Sequence, residues 1–118
     1  NIGINWAITL KGYEKLIGII GHYKISCENF RSEIGYMILP EYQNKGYVTE
    51  AVKAMLEYGF NQLNLNSIEA IIDPNNIASE KVLQKNGFKK EAHFIENQFY
   101  NGRFLDTVIY SILKRNYI

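Results

Sequence analysis

The sequence predicts an α/β fold: a mixed, mostly antiparallel sheet with a central parallel strand–helix–strand pair and helices packed on it. Three observations carry this. Runs rich in β-branched and aromatic residues lie before Pro40 and after Gly87, as strands require. Between them the apolar spacing switches twice to three- and four-residue steps, with a strand-like run separating the two helical stretches. A strand, a helix and a strand in that order cross over right-handed between parallel neighbours.

In chain order, Ile4–Leu10 (INWAITL) reads as a strand, and Lys11-Gly12-Tyr13-Glu14 as a turn through its glycine. Leu16–Ile25 is a second strand, in which Gly18 and Gly21 suggest a bulge or a close backbone approach. A polar loop, Ser26–Ser32, leads to the third strand, Glu33–Leu39, stopped by Pro40. From Tyr47 one helix face is apolar through Val48, Ala51, Val52, Met55, Leu56, Gly59, Phe60 and Leu63, and Asn64–Asn66 ends it. Ser67–Asp73 is the fourth strand, closed by Asp73-Pro74. Ile77–Asn86 is the second helix, with Asn75 or Asn76 as N-cap and Gly87 past its end. Phe88–Tyr100 and Arg103–Leu113 are long strands joined by Asn101-Gly102, a strong hairpin signal. No repeat, low-complexity tract or linker interrupts the chain, so residues 1–118 read as one domain.

Hydrophobic residues make up 47% of the 118, enough for one core, and the net charge is +1 with no block of one sign. A nucleic-acid partner, which calls for a basic face, is disfavoured, as is an anionic membrane. No apolar run is long enough to span a bilayer. The single cysteine, Cys27, excludes a disulfide framework within the chain and points to a thiol-tolerant, cytoplasmic compartment. His22 and His93 stand apart without metal-ligand spacing, so no metal is expected.

The stretch Gln43-Asn44-Lys45-Gly46-Tyr47-Val48 runs from a strand through one glycine into a helix. Ligands in such sheets sit beyond the carboxyl ends of parallel strands, which places them at Leu39–Gly46. The first helical turn leaves N–H groups unpaired and carries partial positive charge. Gly46 lets a phosphate approach the main chain. Each charge-assisted bond to it is worth about 1.5–3 kcal/mol.

A second cluster, Asn76 to Phe88, has the spacing N-x-x-S-x-x-V-L-x-x-x-G-F. With EIGYMILPEYQNKGYVTEAV and NGRFLDTVIYSILKR, it makes the chain resemble the GNAT N-acetyltransferase family, and the RimJ/RimL branch most closely, from about Trp6 to Tyr117. The resemblance implies an acetyl-CoA-dependent N-acetyltransferase acting on a primary amine, a protein N-terminus or a small molecule. It implies that Gln43, Asn44, Lys45, Gly46, Tyr47 and Val48 hold the pyrophosphate through the main chain. Val48 departs from the family's Gly/Ala, so its branched side chain would crowd the phosphate. Ile38 and Leu39 would pair with the pantetheine arm, the backbone near Leu39 would serve the oxyanion, and Asn76 would bond the arm. Asn76 also reads as a plain N-cap.

For catalysis, the family's usual tyrosine acid, seven residues after the asparagine, is Leu83 here. The RimL-type serine is Ser79, which also reads as a first-turn capping residue. The RimL-type glutamate position is Gln98, which cannot take a proton. Glu33 matches a strand carboxylate used as base, with a plain strand-edge charge as the other reading, and Glu96, two residues before Gln98 and so on the same strand face, is a weaker candidate. Baring a lysine-like amine of pKa near 10.4 at pH 7 costs about 4–5 kcal/mol, against about 1 kcal/mol for an N-terminal amine, so the need for a base depends on the acceptor. Tyr36 or Tyr110 could line the pocket, and Asp106 reads as structural. The family's amino-terminal strand and helices are absent from the chain, which begins at Asn1. The alternative reading is therefore a non-catalytic acyl-CoA-binding or dimerisation module, a homodimer completed through the exposed first strand.

Overall fold

The computed structural model describes residues 2–117. Its strands are β1 (Ile2–Thr9), β2 (Leu16–Ser26), β3 (Arg31–Ile38), β4 (Ser67–Ile72), β5 (Lys89–Tyr100) and β6 (Arg103–Leu113). Helices α1 (Tyr47–Glu57) and α2 (Ile77–Lys85) flank β4 in the chain. One six-stranded sheet has the order β1-β2-β3-β4-β6-β5. Only β3 and β4 are parallel, and the other pairings are antiparallel. The α/β architecture expected from the sequence is the one observed.

Cross-strand register sets the two faces. Trp6, Ile20 and Tyr36 lie in one row, and His22 pairs with Ile34. Ile68 pairs with Ile112, and Ala70 with Tyr110. This face packs on Val52, Met55 and Leu56 of α1 and Leu83 of α2. Each such aliphatic side chain contributes about 1.5–3 kcal/mol on burial. The opposite face leaves Ile19, Met37 and Ile71 exposed.

His22 belongs to the core. Its Nε2–H donates to the Met55 carbonyl at 2.9 Å, so Nδ1 accepts from the Ser32 hydroxyl at 2.7 Å. Three elements, β2, β3 and α1, are tied by one ring. Burial pushes its pKa below the ordinary value, and the bond to Met55 pulls it partly back.

Local chemistry explains most ends. Asn101 and Gly102 both have positive φ, 54° and 78°, as a two-residue I′ hairpin needs. At the end of α2, Phe88 N–H bonds Leu83 O and Gly87 N–H bonds Gln84 O, a Schellman closure around Gly87 at φ 87°.

Three details differ from expectation. The third strand ends at Ile38, because Leu39 caps a short 3₁₀ turn at Pro40–Tyr42. The helix expected to run to Leu63 stops at Glu57 and widens into a π turn at Tyr58–Gln62. In that turn Gly59 fits against Ile68 and His22, where a Cβ would stand 2.7 Å from Ile68 Cδ1. Strand β5 shifts register between Phe94 and Gln98 with Glu96 at φ 51°. Simple alternation therefore does not carry Glu96 to the face of Gln98.

Candidate cofactor cleft and active site

The parallel pair is short. β3 and β4 are registered only at Arg31↔Ser67, Ser32↔Ile68 and Glu33↔Glu69. Beyond Glu33, β3 stays with β2 to Ile38 and β4 stays with β6 to Ile72. The sheet opens into a wedge. Leu39 N–H donates to Ile17 O at 2.8 Å, and backbone groups alternate sides along a strand. The main-chain groups of Tyr36 and Ile38 therefore point into the wedge.

A cleft of about 520 Å³ occupies the mouth of this wedge. Ile38, Gln43, Asn44 and Gly46 line one side, followed by Tyr47 and Val48 at the start of α1. Asn76 and Ser79 line it from α2. Seven of the nine cofactor residues named above, together with Ser79, which was also expected at the cofactor, thus share one cavity. Leu39 and Lys45 are not in its lining. The expectation that Leu39 pairs with the pantetheine arm is corrected, because its N–H is held by Ile17 O and its carbonyl accepts from Tyr42 N. The Ile38 carbonyl accepts weakly from Gln43 Nε2 at 3.4 Å.

The loop is built for exposed amides. Asn44 and Gly46 have φ of 61° and 84°, and no atom lies within 4 Å of where a Gly46 Cβ would be. No side chain caps α1, and its first internal bond is Glu50 N–H to Gly46 O at 3.1 Å. The N–H groups of Tyr47, Val48 and Thr49 thus have no acceptor within the helix. Val48 packs in part against the core and also lines the cleft. Lys81 and Lys85, one turn apart on α2, add positive charge to the lining. Their four-residue spacing was the available signal for this, and the sequence reading passed over it.

At the second helix, Asn76 Oδ1 accepts from Ser79 N–H at 3.1 Å, so the capping reading of Asn76 holds. Tyr36 faces the same cleft, and its hydroxyl is shielded from solvent with no hydrogen-bond partner. Burial pushes the Tyr36 phenol up, and the nearby Ser79 side chain pulls it partly back without reaching a hydrogen-bonded alignment. Tyr110 is elsewhere: its hydroxyl donates to Glu80 Oε2 at 2.8 Å beside a separate cavity of about 50 Å³.

Glu33 lies at the apex of the wedge but on the face away from the helices, in register with Tyr23 and Glu69. Lys24 Nζ stands 3.5 Å from its Oε1, yet that oxygen is shielded and makes no well-aligned hydrogen bond. Ser79 and Glu33 therefore sit on opposite faces of the sheet. Glu69, beside Glu33, is a second carboxylate that a strand-by-strand reading did not pair with it. On the far hairpin, Asp106 accepts from Glu96 N–H at 2.8 Å and from His93 Nε2 at 2.9 Å. The first of these does most to hold its carboxyl below the ordinary range, and both fit its structural reading. Among the described residues no group of His, Cys, Asp or Glu could hold a metal, and no helix is long and apolar enough to cross a membrane.

Residues 1–89 match the Acetyltransferase (GNAT) domain family. The chain belongs to the GNAT acetyltransferase family. Among relatives of this GNAT chain, the Uncharacterized N-acetyltransferase YoaA of Bacillus subtilis is 38% identical over 95% of the chain and 63% of its own length. The spermidine N(1)-acetyltransferase of Escherichia coli is 32% identical over 86% of the chain and 54% of its own length. A solved spermidine N-acetyltransferase from Vibrio cholerae superposes with a TM-score of 0.88 at 28% identity, covering 96% of this chain and 66% of that one. The chain thus spans a little under two-thirds of the length of such curated relatives. GNAT acetyltransferases use acetyl-CoA.

Proposed function

We propose that this GNAT domain transfers the acetyl group of acetyl-CoA to a primary amine by direct attack, as a RimJ/RimL-type enzyme. The supporting observation is the wedge itself. Its mouth carries the uncapped start of α1, its wall carries the free backbone edge of β3, and its two faces carry Ser79 and Glu33. The N–H groups of Tyr47, Val48 and Thr49, with Lys81 and Lys85, hold the pyrophosphate. Tyr36 and Ile38 pair with the pantetheine amides through the main chain, and the amide nitrogen of Asn76 faces the same arm. The thioester then points through the sheet toward Glu33.

A neutral amine arrives from the helix-free face. Glu33, directly or through water, takes its proton as the carbon–nitrogen bond forms. The carbon–sulfur bond breaks, and Ser79 supplies a proton to the departing thiolate. An N–H of the wedge edge near Leu39, that of Tyr36 or Ile38, serves as the oxyanion donor. The acceptor is a protein N-terminus or a small amine. A thiol-release assay with acetyl-CoA against spermidine and peptides with free N-termini tests the reading. Thiol release that depends on one class of amine supports it. No release with any amine, together with no calorimetric binding of acetyl-CoA, overturns it.

A second reading is a non-catalytic acyl-CoA-binding or dimerisation module. Leu83 in place of the family's acid and Gln98 in place of its base favour it. It predicts binding without turnover and a homodimer in sedimentation.

A further inference from the structure

We propose that Tyr36 is a positioning residue and proton reservoir for Ser79: its phenol hydroxyl, enclosed in the cleft without a partner, bonds the Ser79 hydroxyl and replaces the proton that Ser79 gives to the leaving thiolate. This rests on the transferase reading above and adds a residue to it.

The placement is specific. Tyr36 pairs with Ile20 on the face that meets the helices, and both Tyr36 and Ser79 line the cleft. Its Oη is shielded from solvent and makes no hydrogen bond. Enclosed polar atoms without partners are uncommon, and each calls for an explanation. Tyr110 offers the contrast. It lies on the same face, but its hydroxyl is committed to Glu80. Tyr36 keeps its hydroxyl without a well-aligned partner next to the Ser79 side chain.

The chemistry supplies the reason. A thiol of pKa near 8.5 leaves as a thiolate, and an aliphatic hydroxyl is a far weaker acid than that thiol. Ser79 alone would be left as an alkoxide. A phenol, with an ordinary pKa near 10, closes most of that gap. Burial holds the Tyr36 phenol protonated through the neutral range, so it stands ready as a donor. As the carbon–sulfur bond breaks, the Ser79 proton moves to sulfur and the Tyr36 proton moves to Ser79 Oγ. The tyrosinate then regains a proton from water. The proton lost by the amine has meanwhile gone to Glu33 and on to water, so the sum is one N–H lost and one S–H gained.

Tyr36→Phe removes the hydroxyl and keeps the ring, so the cleft wall survives. The expected result is a kcat lower by about 10- to 100-fold, with acetyl-CoA affinity in calorimetry within about two-fold of the parent. The double variant Tyr36→Phe/Ser79→Ala should be no slower than Ser79→Ala alone, since the two hydroxyls act as one unit. A proton inventory in mixed H2O and D2O should be curved for the parent and linear for Tyr36→Phe. An unchanged kcat, or losses that simply multiply in the double variant, overturns the assignment while leaving the transferase reading intact. A parent protein that releases no thiol with any amine overturns the transferase reading, and this proposal with it.

Discussion

Replacing Gly46 separates backbone strain from electrostatics at the cofactor loop. Gly46 sits at φ 84° with no atom within 4 Å of the Cβ position. An alanine there meets no steric obstacle and suffers only the left-handed conformation, about 1–2 kcal/mol. A stiffer unfolded chain returns roughly 0.4–1 kcal/mol of that. Gly46→Ala should therefore lower the melting temperature by a few degrees at most. Gly46→Glu carries the same strain and adds a carboxylate at the cleft. At about 6 Å from a phosphate charge, repulsion is about 0.7 kcal/mol in bulk water and about 2.8 kcal/mol at an effective dielectric of 20. Two phosphate charges roughly double this, to about 1.4–5 kcal/mol. Acetyl-CoA affinity in calorimetry should then fall at least about ten-fold for the glutamate and far less for the alanine. High salt should recover part of the glutamate loss and none of the strain. A correctly folded Gly46→Glu protein that binds acetyl-CoA as tightly as the parent would falsify the loop assignment.

Three further outcomes follow from local geometry. Asn76→Ala removes the oxygen that caps α2 at Ser79 N–H, so stability in urea should fall by about 1 kcal/mol, and Asn76→Asp should restore it. His22 is held neutral by burial, so its folded pKa lies below the unfolded value of about 6.5 and the unfolded chain binds more protons beneath that. Stability should drop as pH falls through about 6.5 and level off only below the folded pKa; an NMR titration of the His22 ring at or above 6.5 would contradict this. Gly59→Ala would set a methyl 2.7 Å from Ile68 Cδ1 and 2.8 Å from His22 Cε1. Overpacking of this kind costs about 1–3 kcal/mol, seen as a lower urea midpoint with an unchanged slope.

Much of this was readable because it is local. Apolar period, glycine positions and caps placed every strand and helix near its observed place, and the Asn101-Gly102 hairpin and the Gly87 closure came out as their residues demand. The misses depend on distant partners. Leu39 loses its N–H to Ile17, a residue of another strand that no local pattern names. His22, rightly set aside as no metal ligand, owes its place in the core to Ser32 and Met55, which lie 10 and 33 positions away. The bulge at Glu96 breaks the two-residue alternation that any strand argument assumes. In the cleft, the main-chain loop was legible from one glycine before a helix. The lysines of α2 and the free hydroxyl of Tyr36 needed the approach of α2 to β3, which is tertiary.

The wedge persists because each of its strands is fully committed elsewhere. β3 pairs with β2 from Arg31 to Ile38, and β4 pairs with β6 from Ser67 to Ile72. The His22 ring pins β3 at Ser32 to β2 and to α1 at Met55, so β3 is anchored to the layer beside it where the split begins. The open edge then faces Tyr36 and Ile38 amides toward a cleft whose far end holds charge-seeking N–H groups. A free phosphate answers only the second set, and a simple peptide only the first. A ligand with a diphosphate at one end and amides along an extended arm, as in the proposed acyl-CoA, has groups for both. The proposal of an acyl-CoA therefore draws on two separate sets of backbone groups, the start of α1 and the wedge edge of β3, and not on the loop alone.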